Sequence, residues 1–219
     1  MLKLWKVWKA EIELLSEVLG TQPTNPKARE FLESRLEAAL NVDDEEVPAA
    51  PILEEIIVGT FEVPRSTFFV HDEKPAIANY QLKGWFKSAA GTLPEGLGIQ
   101  GRKGLPRPTT VKGYIDPWLF VNPRWNFFYR NGILIDKPDG VHRHYIQGRT
   151  PKGVRVLPLD SDYINAGARL QFEVRVVDSC PIDEDIILRW FAYAEQYGLL
   201  QWRSAGYGTF KLLSLVQLE

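Results

Sequence analysis

Gly198-Leu199-Leu200-Gln201-Trp202-Arg203-Ser204-Ala205-Gly206-Tyr207-Gly208-Thr209-Phe210-Lys211-Leu212 sits between a helix-like and a strand-like segment. Upstream, Pro181-Ile182-Asp183-Glu184-Asp185 is an acidic helix start, and Ile186, Ile187, Trp190, Phe191, Ala194 and Tyr197 recur at helical spacing up to a capping Gly198. Downstream, Thr209 to Leu218 is apolar and strand-like. Before the helix, Leu170, Phe172, Val174 and Val176 alternate with Arg169, Gln171, Glu173 and Arg175, the pattern of a half-buried strand. Strand, helix, glycine-rich loop and strand fit the second half of a ferredoxin-like β-α-β-β-α-β unit. Within the loop, glycines spaced Gly-x-Gly allow positive φ and close backbone approach. Successive N–H groups there can form an anion-binding concavity, to which Arg203 adds a fork suited to phosphate oxygens.

Outward from this stretch, Trp8, Ala10, Ile12 and Leu14 alternate with Lys9, Glu11 and Glu13 as a first strand over 7–15. Asn25-Pro26 opens an amphipathic helix over 26–40. An acidic, then Pro/Ala-rich linker spans 41–51, and residues 52–63 and 67–70 are strand-like. Ile77 to Ala90 reads as a helix with Gly84 in its interior and Lys83 and Lys87 on one face. Gly91 to Pro108 is a long basic loop carrying Arg102, Lys103 and Arg107, a composition that suits ordering on a nucleic acid. Residues 111–146 are an all-β insertion, with strands at 114–115, 118–121, 125–129 and 133–135. Asn131-Gly132 and Asp139-Gly140 are its hairpin turns. Arg124, Arg130, Arg143 and Arg149 interleave there with Trp118, Trp125, Phe127, Tyr129 and Tyr145, a pairing that suits stacked bases and neutralised phosphates. Asp160 to Gly167 reads as a turn. The whole is an α+β chain, a single domain over 1–219 with a basic loop and β insertion at about 91–150.

A hydrophobic share of 45% supports a sizeable core, and no apolar run approaches the roughly 18 residues that span a bilayer. A lone Cys180 excludes an intrachain disulfide and a cysteine-rich zinc site, and the expected location is cytoplasmic. The net charge of −2 hides an asymmetry: −7 over 1–63, +2 over 64–87, +7 over 88–155 and −4 over 156–219. A basic middle between acidic ends suggests either a polyanion-binding face or subunits meeting head to tail.

Phosphate-loop, dinucleotide, His-Glu-x-x-His and Gly-x-Ser-x-Gly motifs are absent, and no cofactor is implied. The enzymatic candidates are His71 beside Asp72, and His142 with His144. The latter pair could bind a metal with Asp136 or Asp139, or drive metal-independent RNA cleavage through the 2′-OH. The first expectation is no metal and no catalysis.

Trp202-Arg203-Ser204-x-Gly206-x-Gly208-x-Phe210, in its helix–loop–strand setting, resembles the C-terminal signature of the RAMP superfamily, the repeat-associated Cas7-like and Cas6-like proteins of CRISPR systems. Gln81-Leu82-Lys83-Gly84-Trp85-Phe86-Lys87 is similar to the Lys-Gly-x-x-basic helix start of the Cas7-like branch, with Lys87 where the pattern usually has Arg. Leu19-Gly20-Thr21-x-Pro23, Lys83-Gly84 and Gln201-Trp202-Arg203 also resemble a family of phage and prophage proteins, for which the location would be the host cytoplasm. The resemblance implies a ferredoxin-like, RRM-like antiparallel sheet with helices on one face and a β-hairpin insertion. It implies RNA or single-stranded nucleic acid as partner, with head-to-tail copies or other RAMP-like subunits beside it. The residues expected to bind are Lys83, Lys87, Arg102, Lys103, Arg107, Arg124, Arg203, Ser204, Gly206, Tyr207 and Gly208. The rivals are a Cas6-like metal-independent endoribonuclease and a phage structural or protein-interaction module.

Overall fold

The computed structural model describes residues 4–24, 63–93, 115–150 and 153–218. The helix expected over 26–40, the linker 41–51, nearly all of the strand expected over 52–63 and most of the basic loop, with Arg102, Lys103 and Arg107, lie outside them. In chain order the elements are β1 (Trp5–Leu14), β2 (Val18–Leu19), β3 (Gln22–Pro23), β4 (Arg65–Thr67), β5 (Phe69–His71), β6 (Lys74–Ala78), helix α1 (Asn79–Thr92), β7 (Leu119–Asn122), β8 (Trp125–Phe127), β9 (Tyr129–Arg130), β10 (Ile133–Leu134), β11 (Gly140–Thr150), β12 (Gly153–Ile164), β13 (Arg169–Val177), helix α2 (Glu184–Tyr197) and β14 (Phe210–Leu218).

The described part is a mixed α+β structure dominated by antiparallel sheets. In the main sheet β1 lies between β13 and β14, and β13 takes β7 and β9 on its other side. The neighbours β14, β1, β13 and β7 all run antiparallel. Register puts the buried residues opposite one another: Trp8 faces Val174, Ala10 faces Phe172 and Ile12 faces Leu170. Period-2 alternation therefore buries one whole face of both strands, as their sequences require. Both helices cover that face. Trp85 of α1 meets Phe191 of α2 at 5.1 Å between ring centroids, and Phe191 lies 6.3 Å from Phe172 of β13. Asp183 caps α2 by accepting the Ile186 N–H at 2.9 Å.

Several boundaries differ from the sequence expectation. Helix α1 starts at Asn79 rather than Ile77, because Lys74–Ala78 pairs on both sides, with β5 and with β8. Residues 115–118 form a helical turn instead of continuing a strand. Leu119–Asn122 belongs to the main sheet rather than to an insertion. Asn131-Gly132 is the expected turn between β9 and β10, with φ of 51° and 78°. Asp139-Gly140 is not a turn: Gly140 opens the long ribbon of β11 and β12, paired from Gly140↔Tyr163 to Thr150↔Gly153. Residues 160–164 are accordingly strand. Their polar side chains resembled turn chemistry but serve lateral contacts: Asp160 receives Arg143, Ser161 meets Ser66, and Asp162 receives Arg65.

Candidate nucleic-acid interface

The glycine-rich loop is a closed structure before it is a surface. The Leu199 N–H donates to the Gly208 carbonyl at 2.8 Å, drawing the two ends of the loop together. A Cβ on Gly208 would stand 2.3 Å from the Leu199 carbonyl oxygen, and one on Gly198 would stand 2.4 Å from that of Tyr207. Gly198 and Gly208 have φ of 80° and 72°, so sterics and backbone conformation each demand glycine. The Gly208 N–H is used by the Glu17 carbonyl (2.7 Å) and the Gly206 N–H by Arg203 (2.9 Å). The Gly206 N–H thus closes a turn within the loop, and the Gly208 N–H ties the loop to the segment that follows β1.

Two sides of the loop do different things. On one side it docks onto the β11–β12 ribbon. Trp202 stacks on His144 at 4.1 Å and on Tyr207 at 5.2 Å, and Tyr207 shares a 3.0 Å hydrogen bond with His142 Nε2. Glu17 lies 3.8 Å from His142 Nδ1. Burial, then the neighbouring His142, push the His144 imidazole below its ordinary value. Beneath the loop, Gln201 Nε2 reaches the Gly20 carbonyl (2.5 Å), Ser161 Oγ (2.7 Å) and Ser66 Oγ (3.0 Å). The two expected histidines 142 and 144 are therefore brought together with Tyr207. His71 is held elsewhere, against Trp125 and Phe127. Among the described residues, no group of three or more His, Cys, Asp or Glu side chains could hold a metal ion.

On its other side the loop faces α1 across a groove of about 240 Å³. One wall is a face of α1, with Gln81, Gly84, Trp85 and Ser88; the other is Leu200 and Arg203, and Thr21 closes one end. Gly84 has no heavy atom within 4 Å of an added Cβ, so this helical glycine leaves open space on the groove wall. The Trp85 indole N–H is buried without a hydrogen-bond partner among the described residues, an uncommon state for so strong a donor. Arg203 lies with its guanidinium 4.2 Å from the centre of the Tyr197 ring, and it makes no ion pair among the described residues. Ser204, Ala205 and Gly206 form the exposed crest of the loop.

The lysines of α1 are differently placed. Lys87 Nζ sits 2.6 Å from one Asp116 carboxylate oxygen, and Lys83 sits 3.3 Å from the other while donating to the Asp116 carbonyl at 2.7 Å. Burial pushes the Asp116 carboxyl up, but hydrogen bonds and charge from Lys87 and Lys83 outweigh it and leave the group below the usual range. Arg124 rests over the Trp125 ring at 5.4 Å. Sequence analysis did not single out Thr21, Gln81, Ser88 or the Trp85 indole as site residues. Thr21 and Gln81 had a signal, since each lies inside a quoted motif; the pairing of Ser66 with Ser161 had none.

No protein-family model matches the chain, and no curated protein matches it. Among solved structures it is similar to a chain in the cryo-EM structure of the Type III-B Cmr-beta bound to cognate target RNA, with a TM-score of 0.47 and 15% identity. The likeness covers 99% of this chain and 61% of that one, so this chain spans about three-fifths of its length. Among the described residues no helix is long and apolar enough to cross a membrane.

Proposed function

We propose that this chain is a non-catalytic binder of RNA or single-stranded nucleic acid, built on a ferredoxin-like scaffold of RAMP type. The scaffold reading rests on the strand order β14–β1–β13–β7, all antiparallel, with both connecting helices on one face. The observation that carries the function is convergence. Thr21, Gly84 and Arg203 come from three separate sequence motifs and line one groove. Among the described residues it offers a guanidinium without an ion pair and a helix surface bare enough for a backbone to approach. A phosphodiester strand supplies acceptors for that guanidinium. Arg203 is the central contact, with the Ser204–Gly206 crest and Tyr207 beside it. Lys83 and Lys87 contribute positive potential, already shared with Asp116. Other copies or RAMP-like subunits along the same strand would extend the assembly, in the host cytoplasm if the chain is phage-encoded.

The test is a titration with labelled single-stranded RNA and DNA at two salt concentrations. Binding by the wild type should fall steeply with salt, and Arg203→Ala should weaken it about tenfold, as loss of a charged hydrogen bond does. Failure of the wild type to bind either strand overturns the proposal and favours a protein-interaction module. A second reading, metal-independent RNA cleavage, is favoured by the Glu17–His142–Tyr207 row, a carboxylate, imidazole and hydroxyl in sequence. A time course on labelled RNA, with and without chelator, separates the two: the binder leaves the RNA intact.

A further inference from the structure

The small sheet of β5, β6 and β8 has one face in the core and one face outside. Ile77 and Asn126, on the inner face, are 0% and 1% exposed. The outer face of an antiparallel sheet is ordinarily polar. Here, register places Phe69, Ala76 and Phe127 in one outward row, Ala78 with Trp125 in the next, and His71 with Lys74 in a third. Four of the outward positions on the flanking strands are therefore rings: Phe69, His71, Trp125 and Phe127. The short alanines of β6 let rings from both sides lean over the middle strand, and Phe69 and Trp125 come within 5.3 Å. His71 is nearly parallel to Trp125 (24°, 5.2 Å) and to Phe127 (23°, 6.0 Å). All four rings remain partly exposed, and Tyr80 extends the patch at 6.1 Å from Phe69.

We infer that this face is a stacking platform for the unpaired bases of a single strand whose backbone lies in the Arg203 groove; the inference rests on the function proposed above. Two features favour bases over an apolar protein segment. Arg124 lies over Trp125 without an ion pair among the described residues, so a cation stands where the next phosphate would pass. The platform also runs into the groove: Tyr80 of the platform and Gln81 of the groove are consecutive residues in the first turn of α1.

The experiment compares a labelled oligouridylate with an abasic strand of the same length, for the wild type and for Arg203→Ala, Trp125→Ala and His71→Ala. His71 has a side chain 43% exposed, so its removal leaves the core untouched. The wild type should bind the oligouridylate about tenfold more tightly than the abasic strand, the scale of one stacked base. Trp125→Ala and His71→Ala should each remove most of that difference while leaving abasic-strand binding unchanged, and Arg203→Ala should weaken both strands alike. Equal wild-type affinity for the two strands, with Arg203→Ala still weakening both, overturns the platform alone. Equal losses on both strands in the platform variants overturn it too. Absence of binding to either strand overturns the groove and the platform together.

Discussion

The open face of the main sheet and the groove beside α1 contain similar charged residues and use them in opposite ways. On the sheet, Arg169 reaches Glu13 at 2.8 Å and Glu11 at 3.5 Å, while Tyr129 donates to Glu11 at 2.7 Å. Arg175 lies 2.8 Å from Glu173. These charges are answered within the chain: register sets Arg169 opposite Glu13, and Arg175 and Glu173 project from the same face of one strand. In the groove, Arg203 lies over the Tyr197 ring and makes no ion pair among the described residues. The difference separates charges that knit a surface from a guanidinium that the described chain leaves without an ion pair. In an RRM-like module the sheet face would be the first place to seek nucleic acid. Here the ion-paired mosaic points away from that face.

The largest expected contrast lies within the loop that carries Arg203. Gly208→Ala combines positive φ with a backbone clash and should destabilise the protein by about 3 kcal/mol in urea unfolding. If it does not, the loop is not the rigid frame described. Next comes the direct comparison of the two surfaces: Arg203→Ala should weaken single-strand binding about tenfold, whereas Arg169→Ala should leave it unchanged. Equal losses would return the sheet face to the interface. Gly84→Ala should raise stability by up to about 1 kcal/mol, because an interior helical glycine is replaced where no atom of the described residues opposes the methyl. A ring at the same place, Gly84→Phe, should leave the fold intact and close the groove to the strand.

Two smaller effects titrate. His144 has its imidazole held below 6.5, so its packing against Trp202 contributes fully above that pH and weakens as pH falls below it. His144→Phe keeps the stacked ring and should flatten this acid limb in thermal melts. On the sheet face, burial and the hydrogen bond to Glu11 push the Tyr129 phenol up to about 12. The folded state holds the proton that the unfolded state releases near 10, so stability should decline between those values, and Tyr129→Phe should remove that decline.

Strands β1 and β13 were legible because each buries one face completely, and period-2 alternation writes that directly into sequence. Helix α2 was legible through its acidic start, helical apolar spacing and terminal glycine. The β11–β12 ribbon was misjudged at 160–164, where Asp160, Ser161 and Asp162 resemble loop residues and only tertiary partners reveal them as ladder positions. The glycines of the loop could be read as turn formers, but its anchor could not: the acceptor for the Gly208 N–H is Glu17, nearly the whole chain away. Gly84 was singled out as a place for close approach, and no residue of the described chain occupies it. Lys83 and Lys87 looked free because their partner, Asp116, lies in a segment that sequence alone does not bring beside α1.

The central position of β1 sets a timetable for synthesis. Its two hydrogen-bonded neighbours are β13 and β14, so the first strand described is flanked by the last two described. While the chain is being translated, Trp8, Ala10, Ile12 and Leu14 have emerged long before either neighbour exists. Pairing across more than 150 residues folds slowly and leaves the apolar face of β1 uncovered in the meantime. A nascent chain halted before β13 should therefore be held by chaperones or lost to aggregation, and solubility should recover only when β14 clears the ribosome.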